Sequence, residues 1–122
     1  MMKKILAVDD DPINRQLMQI FLSDDFECKV VNSAQQALDA LNSQPFDLVV
    51  TDINLGSAQD GIWLGKYIKQ SAQFTHIPVV AITAHVMSYT GKDEIKEAFD
   101  TLVQKPIIKQ RLIEQLKQIL GI

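Results

Sequence analysis

The sequence predicts an α/β fold, a parallel sheet with helices on both faces, and three observations lead there. Five short apolar runs, Lys4–Val8, Cys28–Val31, Asp47–Thr51, Pro78–Thr83 and Thr101–Gln104, alternate with longer segments. Those longer segments repeat their apolar residues with helical period, and a strand-then-helix rhythm of this kind implies parallel strands joined by crossover helices. All strand ends except the second are polar, the pattern of an open sheet that collects its ligand beyond the carboxyl ends of its strands.

Taken in order, the first strand runs into Val8-Asp9-Asp10-Asp11, and Asp11 ahead of Pro12 reads as a helix N-cap. In the helix that follows, Ile13, Leu17, Ile20 and Phe21 fall at i, i+4, i+7 and i+8, so they are expected to form its buried stripe. The second strand carries the single cysteine, Cys28, which cannot form an internal disulfide and reads as a small buried hydrophobe, compatible with a reducing compartment. Ser33 is placed to cap the second helix, Ala34, Ala37, Leu38 and Leu41 form its inner face, and Pro45 ends it. A third helix is expected from near Asp60, turning Leu64 and Ile68 inward with Trp63 and Tyr67 on its flanks. The fourth is the weakest: between His85 and Phe99 the chain is polar, Gly91 interrupts it, and only Val86, Ile95, Ala98 and Phe99 anchor it. Packing should hold it loosely. The last helix is expected to bury Ile108, Leu112, Leu116, Ile119 and Leu120, with Gly121 closing it.

At 122 residues the chain suits a single domain over 1–122, its core reaching from Lys3 to Ile119 with no repeat or linker. A composition of 47% hydrophobic and 22% charged residues with four prolines is that of a globular protein. The net charge of −3 and the lack of any Lys/Arg cluster argue against direct nucleic-acid binding. The opening apolar run stops at Val8 against three aspartates, too short for a signal-peptide core or a membrane span. A cytoplasmic domain without membrane contact is therefore expected.

With right-handed crossovers the common strand order is 2-1-3-4-5, which sets strands one and three side by side where the winding reverses. Asp9, Asp10 and Asp52 then crowd one crevice. Three carboxylates at close range repel one another, and a hard divalent cation is the natural remedy; Mg²⁺ prefers oxygen ligands and commonly joins one or two carboxylates to a phosphate. Lys105 at the fifth strand end adds a point charge, and Thr83 at the fourth adds a hydroxyl. The set suits phosphoryl chemistry on a carboxylate. Asp52 would be the nucleophile, Lys105 and a metal would hold the phosphoryl oxygens, and Thr83 would register the modification.

Val8-Asp9-Asp10, Asp52, Thr83-Ala84 and Lys105-Pro106, in this order and at these spacings, resemble the receiver domain of response regulators in two-component signalling, over nearly the whole chain. The resemblance implies a flavodoxin-like, doubly wound (βα)5 fold with a five-stranded parallel sheet. It implies Mg²⁺ on Asp9, Asp10, Asp52 and the carbonyl of Asn54, phosphorylation of Asp52 from a histidine, Lys105 paired with the phosphate, and a cis Lys105–Pro106 bond. Catalysis would be limited to the domain's own phosphorylation and dephosphorylation. Asp9-Asp10-Asp11-Pro12-Ile13-Asn14-Arg15 and Thr83-Ala84-His85-Val86-Met87 are similar to receivers attached to hybrid sensor kinases, so a phosphorelay role is expected. The partner would be a histidine kinase or a histidine phosphotransfer domain, docking near the site rim and the first helix. His85 is expected at the rim, His76 in a plain loop, and the domain as a monomer or weak dimer.

Three departures stand against that pattern. Leu102 takes the place of the usual Tyr or Phe three residues before the lysine, so the usual inward swing of a ring cannot occur. The loop from Leu55 to Asp60 lacks the common Met-Pro pair and is one residue longer. Ala98 stands where Gly is familiar, seven residues before the lysine, making positive φ at that turn unfavourable. Three other classes fit less well. A phosphatase with an aspartyl-phosphate intermediate would want a second Asp where Asn54 stands, and a flavodoxin-like cofactor binder would want a Gly/Ser/Thr-rich loop in place of three aspartates. A receiver acting by contact alone would not need the acid set, although Leu102 is compatible with it.

Overall fold

The computed structural model describes residues 2–122 and contains β1 (Lys4–Val8), α1 (Pro12–Leu22), β2 (Glu27–Val31), α2 (Ala34–Ser43), β3 (Leu48–Asp52) and α3 (Gly61–Gln70). After these come β4 (Val79–Thr83), α4 (Val86–Tyr89), α5 (Asp93–Ala98), β5 (Thr101–Gln104) and α6 (Lys109–Leu120). All pairings are parallel and the order is β2-β1-β3-β4-β5, so the two strands ending in aspartates are neighbours. Successive strand residues point to opposite faces. Leu6, Val8, Val49, Val79 and Ala81 pack with α2, α3 and α5, while Ile5, Ala7, Leu48, Val50, Val80 and Ile82 pack with α1 and α6. Two apolar layers thus cover both faces, which is why the strands lack a polar alternation.

Polar caps start the first three helices at the expected places. The Asp11 carboxylate accepts from the Ile13 amide at 3.0 Å, Ser33 Oγ from the Gln36 amide at 3.2 Å, and one Asp60 oxygen from the amides of both Ile62 and Trp63. Gly121, at φ +72°, closes α6 in the left-handed conformation.

Four expectations are corrected. On α1 the buried residues are Met18 and Leu22, whereas Ile13, Leu17 and Ile20 are exposed, Ile13 by 66%, and Phe21 is half-buried. This helix carries two apolar stripes, and β-sheet docking selected the one that meets Phe26 and the last helix. Ile108 is likewise exposed, because it precedes α6 as its N-cap residue, and Ile113 takes the inward place. The fourth helix is two: Gly91 at φ +86° separates α4 from α5, and the second half buries Ile95, Ala98 and the following Phe99 in the core, whereas α4 packs against it only through half-buried Tyr89. Cys28 lies on the edge strand β2 and is only half-buried, with burial pushing its thiol up to about 11.

Ala98 ends α5 without needing positive φ, since Phe99 continues in extended backbone at φ −131°. Its accommodation comes from α3. Gly65 faces Ala98 so closely that a Cβ there would run into the Ala98 carbonyl oxygen.

Candidate functional site

The sheet delivers the predicted residues to one end. Asp9 follows β1, Asp52 ends β3, Thr83 ends β4 and Lys105 follows β5, and the parallel order places the first two side by side. Carboxylate oxygens of Asp9, Asp10 and Asp52 lie within 4.8 Å of one another. Lys105 Nζ donates to Asp52 Oδ2 at 2.8 Å, joining residues 53 positions apart. Asp9 is buried, Asp52 half-buried and Asp10 exposed, so the cluster grades from protein interior to solvent.

The Asp9 and Asp52 carboxylates are each held by their own loop. Asp9 Oδ1 accepts from the Asp11 amide at 3.0 Å, and the Asp9 carbonyl accepts from Arg15 Nη1 at 3.0 Å, which ties the end of β1 to α1. Asp52 Oδ1 accepts from the Asn54 amide at 3.3 Å, and Asn54 in turn accepts from Gly56 through its side chain. Gly56 has φ +77°, and a Cβ on it would sit 3.1 Å from Asp10 Oδ2, so glycine lets this loop close over the acid cluster. Thr83, almost fully buried, accepts from the His85 amide at 3.0 Å through its hydroxyl. His85 itself is exposed at the rim, and His76 is exposed on the α3–β4 connection.

The electrostatics follow from this crowding. Burial, the largest cause, pushes the Asp9 carboxyl above its ordinary value, with the charges of Asp52 and Asp10 adding to it, while the Asp11 amide and Lys105 pull the other way. For Lys105, burial disfavours the ammonium, yet the Asp52 hydrogen bond and the charges of Asp52, Asp9 and Asp10 outweigh it and hold its pKa above the lysine norm. Three carboxylates against one ammonium leave a surplus of negative charge among hard oxygen donors. That donor set fits a small divalent cation of the Mg²⁺ type.

The predicted set is therefore brought together, with Asn54 adjacent through its amide. Arg15, Gly56 and Gln104 were given no role in the sequence reading. Arg15 acts through a bond to the Asp9 carbonyl six residues before it, and Gln104 through bonds to backbone across the fold; only the Gly-containing loop of positive φ had a signal in the sequence.

The Lys105–Pro106 peptide is cis. Among the described residues, no helix is long and apolar enough to cross a membrane.

The family model of the response regulator receiver domain matches residues 5–117. The sensor histidine kinase GacS of Pseudomonas protegens is 34% identical over 116 residues, covering 91% of this chain but 12% of the kinase. The polar-differentiation response regulator DivK of Brucella ovis is 30% identical over 122 residues, covering 99% of this chain and 98% of that protein. In fold, the receiver domain of the sensor histidine kinase PA1611 of Pseudomonas aeruginosa, crystallised with magnesium coordinated in its active-site cleft, superposes with a TM-score of 0.88. It shares 21% identity, with both chains covered completely. The chain thus spans about an eighth of the kinases it matches and nearly all of the stand-alone regulator.

Proposed function

The chain belongs to the response regulator receiver domain family, and from that premise we propose that it accepts a phosphoryl group from phosphohistidine onto Asp52 and relays or switches the signal by that modification. The observation that carries this reading is the Asp52–Lys105 pair at 2.8 Å beside two further carboxylates within 4.8 Å. A lone structural ion pair would not gather surplus like charges around itself.

In the transfer, one Asp52 carboxylate oxygen attacks the phosphorus of the incoming group, and the bond from phosphorus to the partner's imidazole nitrogen breaks. The products are an aspartyl phosphate and a free histidine. Lys105 neutralises the attacking side chain at rest and passes to the phosphoryl oxygens afterwards, a short move for an ammonium on a flexible stem. The Asn54 amide keeps the second Asp52 oxygen oriented. Thr83, whose hydroxyl oxygen accepts from the His85 amide at rest, would donate that hydroxyl to the new phosphate. Asp9, Asp10 and Asp52, with the Asn54 carbonyl, would hold Mg²⁺, which supplies positive charge for the phosphoryl oxygens. Hydrolysis of the aspartyl phosphate then resets the domain.

Partner docking has a surface suited to it. Exposed Ile13, Leu17 and Ile20 line α1, and a groove of about 450 Å³ beside them is lined by Asn14, Leu17, Ala84, Lys105, Pro106 and Ile107. An amphipathic helix of a histidine kinase or histidine phosphotransfer domain laid along α1 brings its histidine toward Asp52. This reading places the domain in the cytoplasm, where such kinases draw on ATP.

The test is intact mass spectrometry after acetyl phosphate and Mg²⁺, on the wild type and on Asp52→Ala. One labile, Mg²⁺-dependent phosphoryl adduct on the wild type alone supports the assignment. No adduct from acetyl phosphate or from a histidine phosphodonor leaves a domain that acts by contact only.

A further inference from the structure

The strand ends carrying Thr83 and Lys105 are joined by more than the sheet. Gln104, the last residue of β5, is exposed, yet its side chain makes three hydrogen bonds. Its Nε2 donates to the Ala84 carbonyl at 2.8 Å and to the Lys105 carbonyl at 3.0 Å, and its Oε1 accepts from the Val86 amide at 3.3 Å. The Lys105 amide meanwhile donates to the Thr83 carbonyl at 2.8 Å, carrying the β4–β5 pairing one step past the sheet.

Helix α4 has few other attachments, chiefly the packing of half-buried Tyr89 against the core. It is four residues long, buries none of them, and has no side-chain cap from its own N-cap residue, His85. The amide of its first residue, Val86, finds its acceptor on β5 instead. Gln104 therefore caps α4 from across the fold, at the point where the segment leaves Thr83. Two residues earlier on the same strand, and so on the same face, Leu102 packs half-buried against the core. An isobutyl group offers no hydrogen bond, and the polar link between β5 and the segment after Thr83 falls to Gln104 alone among the described residues.

We propose that Gln104 is the positioning residue that couples the acceptor to α4: its clasp holds residues 84–86 against β5 in the resting state, and movement of Thr83 toward a phosphoryl group on Asp52 opens it. The proposal rests on the reading of Asp52 as acceptor. A clasp made only in the resting state opposes the rearranged one, so removing it shifts the balance toward the latter by about three- to tenfold, the weight of a few solvent-exposed hydrogen bonds.

The experiment uses the whole chain as wild type, Gln104→Leu and Gln104→Glu. The Leu variant deletes all three bonds, and the Glu variant keeps the acceptor for Val86 but sets a carboxylate against two carbonyl oxygens. Each is titrated with beryllofluoride, a non-covalent phosphoryl mimic, in saturating Mg²⁺, with NMR amide signals and hydrogen exchange of residues 84–89 as readouts. Expected are amide exchange faster by about three- to tenfold in the mimic-free variants and a half-saturating beryllofluoride concentration lower by the same factor. Thermal midpoints should fall by only a few degrees, the amount that a loss of about three- to tenfold in resting-state stability implies for a domain of this size. Half-saturation equal to wild type, with only exchange altered, makes Gln104 a local cap and overturns the coupling. A wild type that ignores beryllofluoride strikes down the Asp52 reading and the coupling with it, whereas a responding wild type matched by both variants strikes down the coupling alone.

Discussion

Replacing Asp9 by Asn should stabilise the metal-free protein at neutral pH and destabilise it, relative to wild type, once Mg²⁺ is added. The Asp9 carboxylate is buried with oxygens of Asp10 and Asp52 within 4.8 Å. One such pair at that separation repels by about 3 kcal/mol at an effective dielectric constant of ~20. Lys105 offsets part of it, and Asp10 is exposed and screened, leaving roughly 1–2 kcal/mol against the charged form. Asparagine keeps the Oδ1 that accepts from the Asp11 amide, so the substitution removes charge without stranding a donor.

The sign with pH follows from the raised Asp9 carboxyl. Below its ordinary value of 3.8 the group is protonated folded and unfolded alike, and wild type suffers no penalty. As pH rises through the raised folded value, the native state is forced to ionise in its crowded site and that stability is lost. The advantage of Asp9→Asn should therefore be absent near pH 3.5 and complete at pH 7, where about 1 kcal/mol corresponds to roughly 3–6 °C in thermal midpoint for a domain of this size. Mg²⁺ at a hundred times its dissociation constant adds about 2.7 kcal/mol to wild type, and less to a variant lacking one ligand, which inverts the order. Circular dichroism melts in chelator and in Mg²⁺, at both pH values, read all four cases. A variant less stable than wild type in chelator at pH 7 would refute the reasoning.

Gly65→Ala tests helix packing, because helix propensity alone favours alanine by about 1 kcal/mol while the close approach of Ala98 opposes any Cβ. Backbone at the contact yields poorly, so a net loss of about 1–3 kcal/mol is expected in urea denaturation. Leu17→Glu, on the exposed stripe of α1, should change stability by no more than about 0.5 kcal/mol. Transfer from a phosphorylated histidine phosphotransfer domain should slow by about tenfold or more while labelling by acetyl phosphate is unchanged, as parallel mass-spectrometric time courses would show.

Much of the site was legible because it is written at strand ends. Asp9, Asp52, Thr83 and Lys105 each terminate or follow an apolar run, and a parallel sheet brings the carboxyl ends of its strands to one edge whatever the helices do. The caps Asp11 and Ser33 were legible for a related reason, since a helix start needs an acceptor within three residues and the sequence shows it directly. The buried face of α1 was not. Its sequence has apolar residues on two sides, and periodicity reports that a stripe exists without saying which stripe meets the sheet. Gln104 left no trace either, because an exposed glutamine is unremarkable until the segment it caps, 18 to 20 positions away, is set beside it.

By itself, then, the sequence determined the class of fold, the strand order and the membership of the acid and lysine cluster, all consequences of local apolar runs and the polar residues that end them. Only the tertiary structure decided that α1 turns Met18 and Leu22 inward and offers Ile13, Leu17 and Ile20 to solvent. It also decided that, of the two halves on either side of Gly91, only the second buries residues, that α3 admits Ala98 through Gly65, and that Gln104 fastens α4 to β5. These are choices among locally equivalent arrangements, and they are settled by burial and hydrogen bonding between segments distant in the chain, which no local pattern encodes.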